Sequence, residues 1–186
     1  AGVILAVARP APQTPEEWLA TGRAHERSGK LREALEAYRQ AGDTLPALYR
    51  RGRLEAGAAA AAVLGRALNL AVSPATRAAV EWALGEHHWR SGDPAAARAW
   101  FDRSRHHAHD AADAAQEARA LVWLAVLDPA QAAPADAFIA SSGAERAALP
   151  HWLAFIDAHR SAHPALARAR AAALLAAARR LASPQI

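Results

Sequence analysis

Residues 14–46 read Thr14-Pro-Glu-Glu-Trp18-Leu-Ala-Thr-Gly22-Arg-Ala-His25-Glu-Arg-Ser-Gly29-Lys-Leu-Arg-Glu-Ala34-Leu-Glu-Ala-Tyr38-Arg-Gln-Ala41-Gly-Asp-Thr-Leu-Pro46. Thr14 is a capping residue, Pro15 stands at a first helical position, and Glu17 lies three after the cap. A helix is therefore predicted to start there and run to about Arg27. Ser28-Gly29-Lys30 supplies a turn. A second helix then carries Leu31, Ala34, Leu35, Tyr38 and Ala41 on one face, until Gly42-Asp43 ends it. Gly22 and Ala34 are small enough to let the two helices approach, while Trp18 and Tyr38 fill the space around that contact.

The same arrangement returns 63 residues later, with Leu84, Gly85, His88, Gly92, Ala97, Phe101 and Ser104 in the matching places. Further helix starts are predicted at Thr44-Leu45-Pro46, Ser73-Pro74, Asp93-Pro94, Asp110, Asp128-Pro129, Ser142 with Glu145 three later, and His163-Pro164. The longer helices then begin at Pro15, Pro46, Pro74, about Ala111 and about Ala144, spaced by 31, 28, 37 and 33 residues. No alternating run of valine, isoleucine and threonine follows Val7, so the chain reads as all-α. Short loops make neighbouring helices antiparallel.

Trp18, Gly22, His25 at a place where tyrosine is common, Gly29, Ala34, Tyr38, Ala41 and Pro46 together resemble a tetratricopeptide repeat, and the spacing near 34 fits that period. The resemblance implies a right-handed α-α superhelix of four to five helical hairpins over residues 14–163, closed by a C-terminal capping helix in 164–186. Between the two sharp copies, Pro46–Gly57 and Ala58–Val72 read as a shortened pair in which Gly52 and Gly65 supply close contacts. A fourth pair is expected from the helix carrying Leu121, Trp123, Leu124 and Leu127 and the segment holding Phe138 and Ile139. In the fifth, Leu149-Pro150 interrupts the first helix before Trp152, Leu153, Phe155 and Ile156 resume an apolar face. From Pro164 to Leu181 one semi-apolar face carries Leu166, Arg170, Ala173, Leu174, Ala177 and Leu181, with Arg168, Arg179 and Arg180 elsewhere. This end reads as the cap of a solenoid, or as a basic surface for an acidic partner or a membrane.

Composition narrows the function classes. The 186 residues include 56 alanines, 21 arginines and one lysine, with no cysteine and no methionine. Disulfide scaffolds, thiolate zinc sites and thiol catalysis are thereby excluded. With 53% apolar residues and a net charge of +4 the chain reads as globular rather than disordered. Its arginines are scattered, without the dense basic stripe and interleaved aromatics that nucleic acid would call for.

Residues 1–13 form an apolar, then proline-rich tail. Ala1–Ala8 cannot span a bilayer, which takes roughly 20 residues. Its Ala6-Val7-Ala8 resembles the small-x-small end of a secretory signal, which points to a bacterial envelope, periplasmic or extracellular setting, with the cytoplasm as the alternative. Alternatively Val3, Ile4, Leu5 and Val7 are an assembly segment that grips a groove of a neighbouring copy and builds a head-to-tail polymer.

Among nine histidines, His159 and His163 have a metal-holding i, i+4 spacing. Pro164 places His163 at a cap, however, and no glutamate adjoins His159, so no metal is assigned. His106, His107 and His109 suit a helix C-terminus, and His25 and His88 read as packing residues. No phosphate loop, nucleophile elbow or paired-glutamate motif is visible, so no catalytic residue and no cofactor is assigned. The resemblance instead implies a non-enzymatic scaffold whose first helices line a groove for a protein or peptide partner. On the first repeat the groove residues would be Glu16, Leu19, Arg23, Glu26 and Arg27, and on its later copy Trp82, Glu86, Trp89 and Arg90. Tryptophan and arginine often dominate interface energy. The competing reading makes Trp82 and Trp89 core between repeats. Leu19 and Arg23 stand where chaperone-tail receptors of this family carry lysine and asparagine, which argues against that ligand.

Overall fold

The computed structural model describes residues 14–182, and among them every regular element is helical. Val3, Ile4, Leu5 and Val7 lie outside the described residues. The described residues fall into two compact units, divided after Leu70.

The first unit holds α1 (Pro15–Arg27), α2 (Leu31–Gln40), α3 (Leu45–Leu54) and α4 (Gly57–Leu70), each packed on the next. The start of α1 is fixed as its sequence predicts: Thr14 Oγ1 accepts from the Glu17 amide at 3.2 Å, and Glu17 Oε2 accepts from the Thr14 amide at 3.1 Å. Thr44 caps α3 with one bond only, its Oγ1 accepting from the Ala47 amide at 3.4 Å. Gly22 lies directly against the fully buried Tyr38, so a β-carbon there would overlap the ring. Gly52 on α3 makes the equivalent approach to Leu64 on α4. Gly65, expected to do likewise, has nothing near its Cα side and makes no such contact.

The second unit contains α5 (Pro74–Arg90), α6 (Pro94–Asp110), α7 (Ala114–Leu127), a 3-10 turn (Pro129–Gln131), α8 (Ala132–Ser142), α9 (Glu145–His159) and α10 (Pro164–Ala182). Ser73 and Asp93 cap α5 and α6. Gly85 meets Phe101 as Gly22 meets Tyr38. Three departures from the sequence reading have local causes. Asp110 does not start a helix: α6 runs through it, nothing in His106–His109 breaks the backbone pattern, and Asp113 caps α7 instead. Ser142 and Glu145 form no capping box, because Ser142 is the last residue of α8 and Gly143 turns left-handed after it. Pro150 sits inside an unbroken α9, on its exposed side, where a carbonyl deprived of its amide partner can bond to water.

The expected fourth pair also differs. The main partners of α7 are α6 and α9, while α8 touches it more sparsely. Leu48, Leu64, Val80, Phe101, Val122 and Phe155 are fully buried, and such side chains each stabilise a fold by about 1.5–3 kcal/mol. Alanine fills most remaining contact positions and lets the helices approach closely. Among the described residues no helix is long and apolar enough to cross a membrane.

Candidate functional site

On the first unit, the last turns of α1 present Arg23 and Arg27, both exposed. With Glu26 and Arg50 of α3 they line an open cavity of about 320 Å³. Glu26 is fully engaged within this unit. The Tyr38 hydroxyl donates to its Oε2 at 2.7 Å, and Arg50 donates to both carboxylate oxygens at 3.2 and 3.3 Å. Burial, followed by the Glu26 carboxylate, holds Tyr38 well above the ordinary tyrosine range, so it remains a neutral donor. Arg23 and Arg27 make no ion pair among the described residues. Their guanidinium groups therefore border a cavity with donors to spare. Glu16 is exposed on the same helix and Leu19 is half-buried.

The four groove residues expected on α5 are dispersed by the second unit. Trp82 is buried and meets the His151 ring of α9 edge-on at 5.2 Å. It is core, as its competing reading required. Trp89 is half-buried and meets Trp123 of α7 at 6.2 Å, and Trp123 in turn stacks on Phe101 at 5.3 Å. Glu86 is half-buried, while Arg90 is exposed and donates from Nε to the Glu86 carbonyl. Of the four, only Arg90 stands open to a partner.

Two polar arrangements escape sequence reading because they depend on side chains from different helices. The first joins α5, α6 and α7. Buried Ser104 donates to the Ala78 carbonyl at 2.8 Å, Gln116 Nε2 reaches Ser104 Oγ at 3.3 Å, and Arg119 donates to Gln116 Oε1. Beside it, His107 Nδ1 donates to the buried Glu81 at 2.7 Å and His109 Nδ1 to Glu117 at 3.3 Å. These are structural bonds between helices. No group of three or more histidine or acidic side chains suited to a metal occurs among the described residues. His159, for its part, bonds the Val126 carbonyl.

The second arrangement lies between α8, α9 and α10. Arg170 spreads over the Trp152 ring, 3.7 Å from its centroid, and donates two 2.6 Å bonds to Asp136. Its position within an otherwise apolar stripe was the available sequence signal, since a guanidinium there must find a partner. No family model matches the chain, and no curated protein compared with it matches either.

Proposed function

We propose that the chain is a non-enzymatic protein-interaction scaffold of tetratricopeptide type that holds a carboxylate-bearing segment of a partner protein against Arg23 and Arg27. One observation carries this reading: Glu26, the acid nearest in the cavity, is already held by Tyr38 and Arg50, so the two α1 arginines retain their charge for a ligand. Arginine suits the task because its planar fork can meet a carboxylate with two parallel bonds. Nothing in the reading requires a chemical step.

Isothermal titration of the full chain with a hexaglutamate peptide tests it. Binding should weaken with added salt. The Arg23→Glu/Arg27→Glu variant should lose about tenfold or more, given about 1.5–3 kcal/mol for each hydrogen bond to a charged group. Arg103→Glu/Arg105→Glu on α6 changes the net charge equally and should keep most of the affinity. Equal losses in both variants would reduce the effect to overall charge and remove the site. Light scattering with and without residues 1–12 separates this reading from a self-assembling subunit, whose mass would fall on deletion.

A further inference from the structure

Tyr38 and Phe101 fill the same place in two hairpins. A β-carbon at Gly22 would lie 2.6 Å from Tyr38 Cδ1 and 2.9 Å from its Cζ, and one at Gly85 would meet the same two atoms of Phe101 at the same distances. Both rings are fully buried. Packing against the glycine therefore needs the ring and not the hydroxyl. The later hairpin also lacks the hydroxyl's partner: the position 63 residues beyond Glu26 is Trp89, and the one 63 beyond Arg23 is Glu86. Hydroxyl and acid occur together in the first hairpin, and neither occurs at the matching places of the second.

The two groups that hold Glu26 are unequal. Tyr38 donates the short bond, 2.7 Å to Oε2, whereas Arg50 reaches both carboxylate oxygens from a single nitrogen at 3.2 and 3.3 Å. A short hydroxyl bond to a carboxylate is about twice as strong as one between neutral groups. The Arg50 contact is not the two-nitrogen fork that fixes a carboxylate's orientation. The hydroxyl thus sets where Glu26 points. A rival partner is near, because Arg23 stands three residues before Glu26 on α1, a spacing at which helix side chains are neighbours. Its charge reaches the pair: burial and then Glu26 raise the Tyr38 hydroxyl's pKa, while Arg50 and Arg23 act against that rise. Even so, Arg23 makes no ion pair among the described residues.

We infer that Tyr38 is the positioning residue of this site: its hydroxyl holds Glu26 on Arg50 and off Arg23, and without it Glu26 pairs with Arg23 and competes with the partner's carboxylate. The ligand in this statement rests on the Arg23 and Arg27 reading. The holding of Glu26 rests on α1, α2 and α3 alone.

Two measurements on the full chain test the holding and the ligand separately. In the first, without peptide, the chain is labelled with 15N-arginine and the Arg23 Nε resonance is assigned by comparison with Arg23→Lys. Tyr38→Phe should shift that resonance, and the same substitution made on top of Glu26→Gln should leave it where Glu26→Gln alone puts it. In the second, isothermal titration with hexaglutamate, Tyr38→Phe should weaken binding about two- to threefold, the cost of displacing a neighbouring ion pair on a helix. Glu26→Gln should strengthen it at least about twofold, since it removes the competing charge and releases Arg50. Adding Tyr38→Phe to Glu26→Gln should then change the affinity by less than about 1.5-fold. An unmoved Arg23 resonance in Tyr38→Phe, or an equal effect of Tyr38→Phe with and without Glu26, would overturn the proposal. So would loss of the helical circular dichroism signal in Tyr38→Phe, which would make the hydroxyl a packing element. A parent chain that binds no hexaglutamate while Arg23 responds as expected removes the ligand reading and upholds the holding of Glu26.

Discussion

Ala112 occupies, at φ +52°, the turn position that Gly92 holds at φ +77° twenty residues earlier. The surrounding hydrogen bonds coincide: Asp93 donates to His88 and Asp113 to Ala108, each at 2.9 Å, as Lys30 does to His25 around Gly29. One turn design thus closes α1, α5 and α6, and only in α6 is the left-handed residue an alanine. An L side chain in that conformation costs roughly 1–2 kcal/mol, a penalty glycine avoids. Ala112→Gly should therefore raise stability by about 0.5–1 kcal/mol after the extra freedom of the unfolded glycine is offset. Urea denaturation followed by circular dichroism measures it. A loss of stability would show that the alanine methyl makes a contact of greater value than the strain.

The glycines inside helices should divide into two classes. A β-carbon at Gly85 would lie 2.5 Å from the Phe101 ring, whereas one at Gly65 would meet open space. Gly85→Ala should destabilise by about 1–3 kcal/mol through overpacking. Gly65→Ala should stabilise by up to about 1 kcal/mol through helix propensity. If both substitutions have the same sign in thermal or urea melts, the close approach at Gly85 is not the determinant.

Arg170 should resist conservative replacement. Lysine keeps the charge but cannot both lie flat on Trp152 and donate two parallel bonds to Asp136. Arg170→Lys should cost about 1–2 kcal/mol, and Arg170→Ala about 2–3 kcal/mol because the stem packing is lost too. Equal stability of the lysine variant would show that charge alone matters here.

Acidification should tax α5 in particular. Burial, then the neighbouring His88 and Arg90, holds His87 below the ordinary value of 6.5. The unfolded chain consequently binds a proton before the folded one does. The stability this confers is complete above about pH 6.5 and is lost as the pH falls through the lower folded value. Between about pH 7.5 and 5, His87→Gln should show a shallower fall in melting temperature than the parent chain. An identical slope would assign the acid sensitivity to other groups.

Local chemistry made much of the fold legible. Thr14, Thr44, Ser73 and Asp93 each announce a helix through a side chain that reaches an amide three residues on. The offset of 63 between Gly22 and Gly85 likewise reports a real repetition, because each glycine meets an aromatic ring sixteen residues later. Where the chain misleads, the deciding partner is distant or silent. Ala112 carries no compositional mark of a turn. Trp82 is core in the fold, where it meets His151, 69 residues away in the chain. Of the candidate site, Arg23 and Arg27 were legible as exposed groups on one helix face. Their lack of an acid partner among the described residues goes with Tyr38 and Arg50, which engage Glu26 from two other helices. The Arg170 arrangement has even less local signature, since three separate helices build it.

Helices faced with methyl groups are nearly smooth rods, and smooth rods can slip past one another without losing much contact. The Ala78 carbonyl, Ser104 hydroxyl and Gln116 amide oppose such slippage. Displacing one helix by a single turn, about 5.4 Å, would strand buried donors and acceptors with no water to replace their partners. A few hydrogen bonds thus act as detents along α5, α6 and α7, supplying the alignment that an alanine-rich surface cannot encode through shape.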